Sequence, residues 1–168
     1  MTGVQTCALP IFGWNETTQN GSFTGDFTNQ TKGQTLTQTF ISEGADIIFP
    51  VAGGAGLGAG AAAQASGGKA NVIWVDTDGC ESAAQYCDFF ITSVTKNLSG
   101  SVQQYVSQAA KGTFPTGSYV GTLDNDGTGL APFHNFDSQV PSALKSELQQ
   151  VSTGIQNGSI KVATKSPA

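Results

Sequence analysis

Residues 44–58 read GADIIFPVAGGAGLG, an apolar run followed by a cluster of glycines. The run Asp46–Val51 is rich in Ile and Phe, which predicts a buried strand of a parallel sheet. The glycines after it predict a tight turn that opens a helix over Gly53–Gln64. A buried strand, a glycine turn and a helix in this order are typical of an α/β fold.

The rest of the chain continues this alternation. Two apolar runs, NVIWVD and FFITSVT, predict buried strands at Asn71–Asp76 and Phe89–Thr95. Apolar residues at helical spacing predict helices at Lys32–Glu43, Ser99–Lys111 and Ser138–Gln156. Shorter strands are expected at Ser22–Phe27, Ser118–Leu123 and Ile160–Val162, with a crossover over Gly127–Asp137. The alternation indicates an α/β fold with a mostly parallel sheet flanked by helices.

The composition excludes several classes of partner. The chain has 168 residues, with 7 Lys and Arg against 12 Asp and Glu, and a formal net charge of −5. Nucleic-acid backbones and anionic membrane surfaces are bound by clustered Lys and Arg, so neither is an expected partner. The longest uncharged run, residues 47–68, contains Pro50 and consists mostly of Gly and Ala. We therefore expect no membrane span in this chain.

The three cysteines fall into two groups. Cys7 lies in the opening MTGVQTCALPI, which resembles translated adapter sequence from metagenomic assemblies. We expect residues 1–12 to be a non-native leader. Cys80 and Cys87 are separated by six residues in a predicted loop with no third Cys or His nearby, which disfavours zinc. A local disulfide is preferred over two free thiols, and it would indicate an oxidising compartment.

Polar and aromatic residues cluster where the predicted strands end. In open α/β sheets, ligands bind beyond the carboxyl ends of the strands. The groups found there are a ring, two backbone glycines, two carboxylates and one ammonium: Phe49, Gly53, Gly54, Asp76, Asp78 and Lys96. A ring stacks on a planar ligand, carboxylates accept hydrogen bonds from sugar hydroxyls, and Lys donates them. Each group also has an ordinary explanation as a core, turn or surface residue. Taken together, they predict a binding site without a catalytic nucleophile and base.

Glycine spacing supplies a second interpretation. Gly54, Gly56 and Ala59 satisfy G-x-G-x-x-A after a predicted strand, and Asp76 follows where a ribose-binding acid would lie. This is the formal fingerprint of an NAD-binding enzyme, although a run so rich in Gly and Ala meets it easily by chance. Catalysis has no other support, because His134 is the single histidine and the acids of LDNDGTG lack the rest of a calcium loop. We therefore expect no enzyme activity, no cofactor and no metal.

Five sequence blocks resemble a known family. They are GADIIFPVAGGAGLG, NVIWVDTDG, FFITSVTKN, AAKGTF and DGTGLAPFHNFDSQVP. Their order and content are similar to those of the basic-membrane-protein family, the PnrA-like purine-nucleoside-binding components of bacterial ABC importers. The resemblance covers Gly21–Val162. It implies a type I periplasmic-binding-protein-like fold, in which two α/β lobes trap a ligand between them.

The resemblance implies a role for each residue of the predicted site. Phe49 is similar to the ring that this half of the fold contributes to a purine stack, and the backbone of Gly53 and Gly54 lines the pocket. Lys96 and an acid of the VD-x-D motif hold the ribose hydroxyls. Between the two acids, Asp78 is preferred to Asp76, although this chain has Gly79 where the family usually has Gln. The alternative is the same fold with a sugar or another small polar solute.

The resemblance also implies an incomplete two-lobe fold. Residues 13–92 would belong to the second lobe, residues 93–126 to a hinge crossing with a piece of the first lobe, and residues 127–168 to the return and a C-terminal helix. We expect the chain alone to bind ligand weakly or not at all, to expose an apolar face and to aggregate. The full-length parent would be extracytoplasmic and lipid-anchored, and it would deliver a purine nucleoside to an ABC transporter permease.

Overall fold

The computed structural model describes residues 14–15, 20–114 and 116–162 of the chain. The expected leader, residues 1–12, lies outside these described residues. The chain divides into two compact units, Met1–Ile73 and Trp74–Ala168, and strand β4 (Asn71–Asp76) contributes residues to both.

The first unit combines short strands with two helices. Strands β1 (Trp14–Asn15) and β2 (Asn20–Gly21) form an antiparallel pair. The chain continues through helix α1 (Gln30–Ser42), strand β3 (Ile47–Ile48), a 3₁₀ turn (Gly53–Gly56), helix α2 (Leu57–Ala65) and the start of β4. β3 and β4 run parallel, with Ile47 opposite Asn71. The parallel arrangement predicted for these two strands is confirmed.

Helices α1 and α2 pack closely because the residues between them are small. A Cβ atom on Gly58 would clash with the carbonyl oxygen of Gln30, and one on Gly33 would clash with that of Ala55. The buried side chains of α2 are alanines, at Ala59, Ala62 and Ala63. Larger side chains at these positions would force the two helices apart. The Gly- and Ala-rich composition of residues 53–65 is therefore a packing requirement.

The second unit is built around strand β5. After β4 come helix α3 (Gly79–Ser82), a 3₁₀ segment (Ala84–Phe89), β5 (Phe90–Lys96), helix α4 (Leu98–Ala110), β6 (Thr128–Leu130), a 3₁₀ turn (His134–Phe136) and helix α5 (Ser142–Gln156). β5 lies between β4 and β6. β6 is antiparallel to β5, with Val94 opposite Leu130.

The core of this second unit fixes the turn after β4. Trp74 and Phe90 are buried and stacked, with their ring centroids 5.2 Å apart. Gly79 lies directly against both rings, where a Cβ atom would come within 2.9 Å of Trp74 Cγ. The backbone N–H of Gly79 also donates to the hydroxyl of buried Ser93 at 2.9 Å. The residues between β4 and α3 are therefore held firmly at the end of the strand.

Several strand predictions are wrong in extent or position. The predicted strand Asp46–Val51 is reduced to Ile47–Ile48, and Pro50 has no N–H to donate to a neighbouring strand. Ser118–Leu123 forms no strand, because the Asn125 side chain accepts from Thr122 N–H at 2.8 Å and donates to Val120 O at 2.9 Å. The predicted strands Ser22–Phe27 and Ile160–Val162 are also irregular. A strand that was not predicted, β6, lies within the expected crossover.

The helix predictions hold more closely. α1 begins two residues before its predicted start, where the Asn29 side chain accepts from Lys32 N–H as a cap. α4 is displaced from its prediction by one residue at each end. α5 begins only at Ser142, because Pro141 before it is extended, with ψ 141°. Within the described ranges, no helix is both long and apolar enough to cross a bilayer.

Candidate ligand-binding site

Asp76 and Lys96 form an ion pair at the ends of two adjacent strands. Asp76 is the last residue of β4 and Lys96 is the last residue of β5. The Lys96 Nζ lies 2.6 Å from the Asp76 Oδ1, and the two side chains are 64% and 43% exposed. This exposure leaves lone pairs of the carboxylate and protons of the ammonium open to a dissolved molecule. The pair is therefore a ready donor–acceptor set for neighbouring hydroxyl groups.

The backbone of Asp76 is in an uncommon conformation. Its φ is +72°, a left-handed value that non-glycine residues seldom adopt and that Asp tolerates better than most. The strand ends there, and the turn that follows is held by Gly79. Such backbone conformations cost free energy and concentrate at binding sites. The chain thus holds the Asp76 carboxylate beside Lys96 at a cost in backbone free energy.

Asp78 makes different contacts from those of Asp76. Its side chain caps α3, accepting from the backbone N–H of Cys80 at 3.0 Å. Its second oxygen lies 2.8 Å from His134 Nε2, and its side chain is only 17% exposed. Cys80 is joined to Cys87 in a disulfide with a Cα–Cα distance of 4.6 Å, which closes the loop next to this cap. Both carboxylate oxygens of Asp78 thus already have partners within the second unit.

The position of His134 beside Asp78 was not predicted from the sequence. His134 lies 56 positions from Asp78 in a 3₁₀ turn after β6, and its own φ is +43°. Among the described residues, Asp78, Cys80 and His134 place potential metal-ligand atoms within 4.8 Å of one another. The sulfur of Cys80 is bound in the disulfide and supplies no thiolate, so two ligands remain. This cluster therefore does not resemble a closed metal site.

The predicted residues of the first unit are an exposed ring and two glycines of a 3₁₀ turn. Phe49 follows β3 and is 52% exposed, so it is not a core residue. Gly53 has a φ of +53°, which favours glycine at that position. The 3₁₀ turn that begins there is anchored by the N–H of Ala55, which donates to the carbonyl oxygen of Phe27 at 3.0 Å. Gly54 lies in the same turn.

A cleft of about 340 Å³ adjoins Lys96 within the second unit. Its wall includes the start of α4 and the segment that leads to β6, with hydroxyl groups from Ser101, Tyr119 and Thr128. The volume is at the lower end of the range seen for small-molecule pockets. A small solute bound at the Asp76–Lys96 pair would have open space on this side of the lysine.

A model of the family described as "ABC transporter substrate-binding protein PnrA-like" matches residues 19–166. The chain belongs to the PnrA-like family. It is 29% identical over 155 residues to a "CD4+ T-cell-stimulating antigen" of Listeria monocytogenes, and 26% identical over 158 residues to the "ABC transporter nucleoside-binding protein BmpA" of Lactococcus lactis. Each match covers 85% of this chain and 43% of the relative.

A solved structure supports the fold. An ABC transporter solute-binding protein from Aeropyrum pernix superposes with a TM-score of 0.74 at 20% identity, over 86% of this chain and 48% of the other. The α/β fold class, with a mostly parallel sheet flanked by helices, is confirmed. The chain spans less than half the length of the relatives that it matches.

The PnrA-like family consists of binding proteins of ABC transporters and not of enzymes. The NAD-enzyme interpretation of the glycine spacing is therefore set aside. The glycines have structural explanations in its place. Gly56 is buried in the 3₁₀ turn, and Gly58, two residues later, allows α2 to approach α1.

Proposed function

We propose that this chain is part of an extracytoplasmic substrate-binding component of an ABC importer whose ligand is a purine nucleoside. The observation that carries the proposal is the exposed Asp76–Lys96 pair, 2.6 Å apart at the ends of adjacent strands. Family membership and the nucleoside-binding name of the Lactococcus lactis relative support it. The Cys80–Cys87 disulfide agrees with an oxidising compartment. A permease partner, and a lipid anchor in the full-length parent, belong to the same proposal.

The chemistry of the pair suits a ribose. A carboxylate accepts hydrogen bonds from two neighbouring hydroxyls, and an ammonium donates to the oxygens of the same hydroxyls. Because Asp78 is already paired with His134 and Cys80, we assign the ribose contact to Asp76 together with Lys96. The exposed ring of Phe49 would stack on the purine, and the backbone at Gly53 and Gly54 would line the pocket.

The lobe assignment is also proposed. Residues 13–92 and 127–168 are assigned to one lobe, and residues 93–126 to a crossing that carries a piece of the other. α4 supports this assignment, because none of its residues is buried and Leu98, Val102 and Val106 expose apolar side chains at helical spacing. An amphipathic helix normally buries such a stripe against another element. We assign that element to the first lobe of a full-length relative.

Ligand-observed NMR tests the function on this chain. Half of a two-lobe site should bind weakly, so saturation transfer to millimolar adenosine, guanosine and inosine is the suitable measurement. We expect transfer to both base and ribose protons, and its loss in Lys96→Ala. The matched control is Lys69→Ala, which removes a lysine of the first unit from the turn before β4. Nucleoside signals of equal strength in the wild-type chain and in Lys96→Ala would refute the proposal.

A sugar or another small polar solute is the second candidate, because a carboxylate–ammonium pair recognises a diol without regard to the base. Ribose and 2′,3′-dideoxyadenosine separate the two candidates. A nucleoside site requires both halves of the ligand, so adenosine should bind more tightly than either. Equal binding of ribose and adenosine would favour the sugar site.

A further inference from the structure

Phe27 is an exposed aromatic residue held next to the glycine turn of the first unit. The residue is 71% exposed. Its carbonyl oxygen accepts the hydrogen bond from Ala55 N–H at 3.0 Å, which ties it to the 3₁₀ turn at Gly53–Gly56. The residue therefore has a fixed backbone position and a ring that projects into solvent.

The residues on either side of Phe27 strengthen this fixation. The Asp26 Oδ1 accepts from the backbone N–H groups of Thr28 at 2.9 Å and Asn29 at 2.6 Å. The hydroxyl of Thr24 donates to the Asp26 carbonyl oxygen at 2.7 Å. These bonds order the connection that leads into α1. Because the backbone around Phe27 is already ordered, a ligand that contacts the ring would lose little affinity to the entropy cost of ordering this segment.

The Phe27 side chain lies against Gly53. A Cβ atom on Gly53 would lie 3.4 Å from Phe27 Cβ and 3.7 Å from Phe27 Cδ1. The ring thus runs alongside the bare face of Gly53, the residue that we propose lines the pocket. Phe27 therefore covers part of the face of Gly53, and a solute that reaches the glycine turn from this side would meet the exposed ring.

We propose that Phe27 is a ligand-contacting residue of the base subsite, with a planar heterocyclic ring as its partner. This inference rests on the proposed nucleoside function and adds a residue to it. Large exposed aromatic rings are favourable contacts for the apolar faces of a base. The neighbouring Asp26 carboxylate is already held by two backbone N–H groups and by Lys32 at 3.4 Å, so the group that this segment offers to a ligand is the ring, which suits an uncharged heterocycle.

The test compares Phe27→Leu with Phe114→Leu in the same chain. Phe114 is 76% exposed and lies in the second unit, so its replacement is a matched loss of an exposed ring. Saturation-transfer titrations with adenosine and with ribose give two apparent Kd values for each variant. We expect Phe27→Leu to weaken adenosine binding about fivefold or more and to leave ribose binding unchanged. Phe114→Leu should change neither value.

The outcomes separate this inference from the proposed function. If Lys96→Ala binds adenosine as tightly as the wild-type chain does, the proposed function is overturned, and the role of Phe27 that rests on it is overturned as well. If Lys96→Ala abolishes binding and Phe27→Leu matches the wild type, the function stands and the role of Phe27 is overturned. Equal weakening of adenosine and ribose by Phe27→Leu, or a lowered urea midpoint in that variant, would show an indirect effect and would also overturn it.

Discussion

Replacement of Asp76 should separate folding stability from ligand binding. The residue has a φ of +72° and a carboxylate paired with Lys96. We consider three variants at this position. Asp76→Asn keeps the shape and the tolerance for left-handed backbone, Asp76→Gly removes the side chain and relieves the backbone, and Asp76→Val introduces a branched side chain that the conformation disfavours.

The expected free energies follow from the structure. The ion pair is largely exposed, so its loss costs about 0–1 kcal/mol of unfolding free energy. A left-handed non-glycine residue costs about 1–3 kcal/mol, with Asp near the low end. Glycine recovers that strain and loses about 0.4–1 kcal/mol through the added freedom of the unfolded chain. Asp76→Gly and Asp76→Asn should therefore lie within about 1 kcal/mol of the wild type. Asp76→Val should be destabilised by about 2–3 kcal/mol.

Ligand binding should follow a different order. Every one of the three variants removes a charged acceptor, a change that costs about 1.5–3 kcal/mol, or about 10- to 150-fold in Kd. For a chain that binds at millimolar Kd, this is a complete loss of the NMR signal. Stability is measured by urea unfolding, followed through Trp74 fluorescence in a Trp14→Phe background. Trp74 suits this purpose because it is buried and stacked two residues before Asp76.

Two results would refute this reasoning. If Asp76→Val is as stable as the wild type, the backbone at this position stores no strain. If Asp76→Asn retains nucleoside binding, the carboxylate charge does not hold the ribose.

Three further predictions concern stability. Gly58→Val should cost about 1–3 kcal/mol by separating α1 from α2, whereas Gly129→Ala, whose Cβ atom would meet nothing nearer than 3.8 Å, should cost less; similar urea midpoints would contradict the packing argument. The Cys80→Ala/Cys87→Ala variant should lose about 2 kcal/mol, and dithiothreitol should lower the midpoint of the wild type but not of this variant. Backbone hydrogen bonds, first from Asn29 N–H, lower the pKa of Asp26 below 3.8 in the folded chain. The ionised Asp26 carboxylate therefore stabilises the folded chain above pH 3.8, and this contribution is lost as the pH falls through the lower pKa of the folded state. The urea midpoint of the wild type should exceed that of Asp26→Asn by less in acid than at neutral pH. A difference in midpoint that does not change with pH would exclude this linkage.

The sequence predicted best those elements whose limits are set locally. The strand Asn71–Asp76 was predicted with the observed bounds, because an unbroken apolar run ends at an acidic turn. α1 and α4 were predicted within two residues from the spacing of their apolar side chains, and an Asn cap directly before each helix sets its observed start. By contrast, β6 has the sequence TGL, which has little strand propensity of its own. It forms because β5 provides hydrogen-bonding partners far away in sequence.

The part of the candidate site that depends on local sequence, the glycine turn, was also predicted. The left-handed φ of Gly53 accords with the predicted glycine turn, whereas the 52% exposure of Phe49 does not accord with the buried strand predicted over Asp46–Val51. The pairing of Asp78 with His134 had no sequence signal, because 56 residues separate them and the histidine is alone in its segment. The roles of Phe49, Gly53, Gly54, Asp76, Asp78 and Lys96 in binding remain predictions.

The choice between Asp76 and Asp78 shows why strand position alone does not assign a ligand contact. Asp76 ends β4 and Asp78 follows two positions later, and either would fit a ribose contact on chemical grounds. What separates them is the surrounding structure. Gly79 packs on Trp74 and Phe90, so Asp78 is placed at the first residue before α3, where a carboxylate caps the helix and meets His134. Asp76 is left as the acid whose lone pairs are open to solvent beside an ammonium. Availability for hydrogen bonding, rather than proximity in sequence to the strand end, is therefore the reason to place the ribose on Asp76.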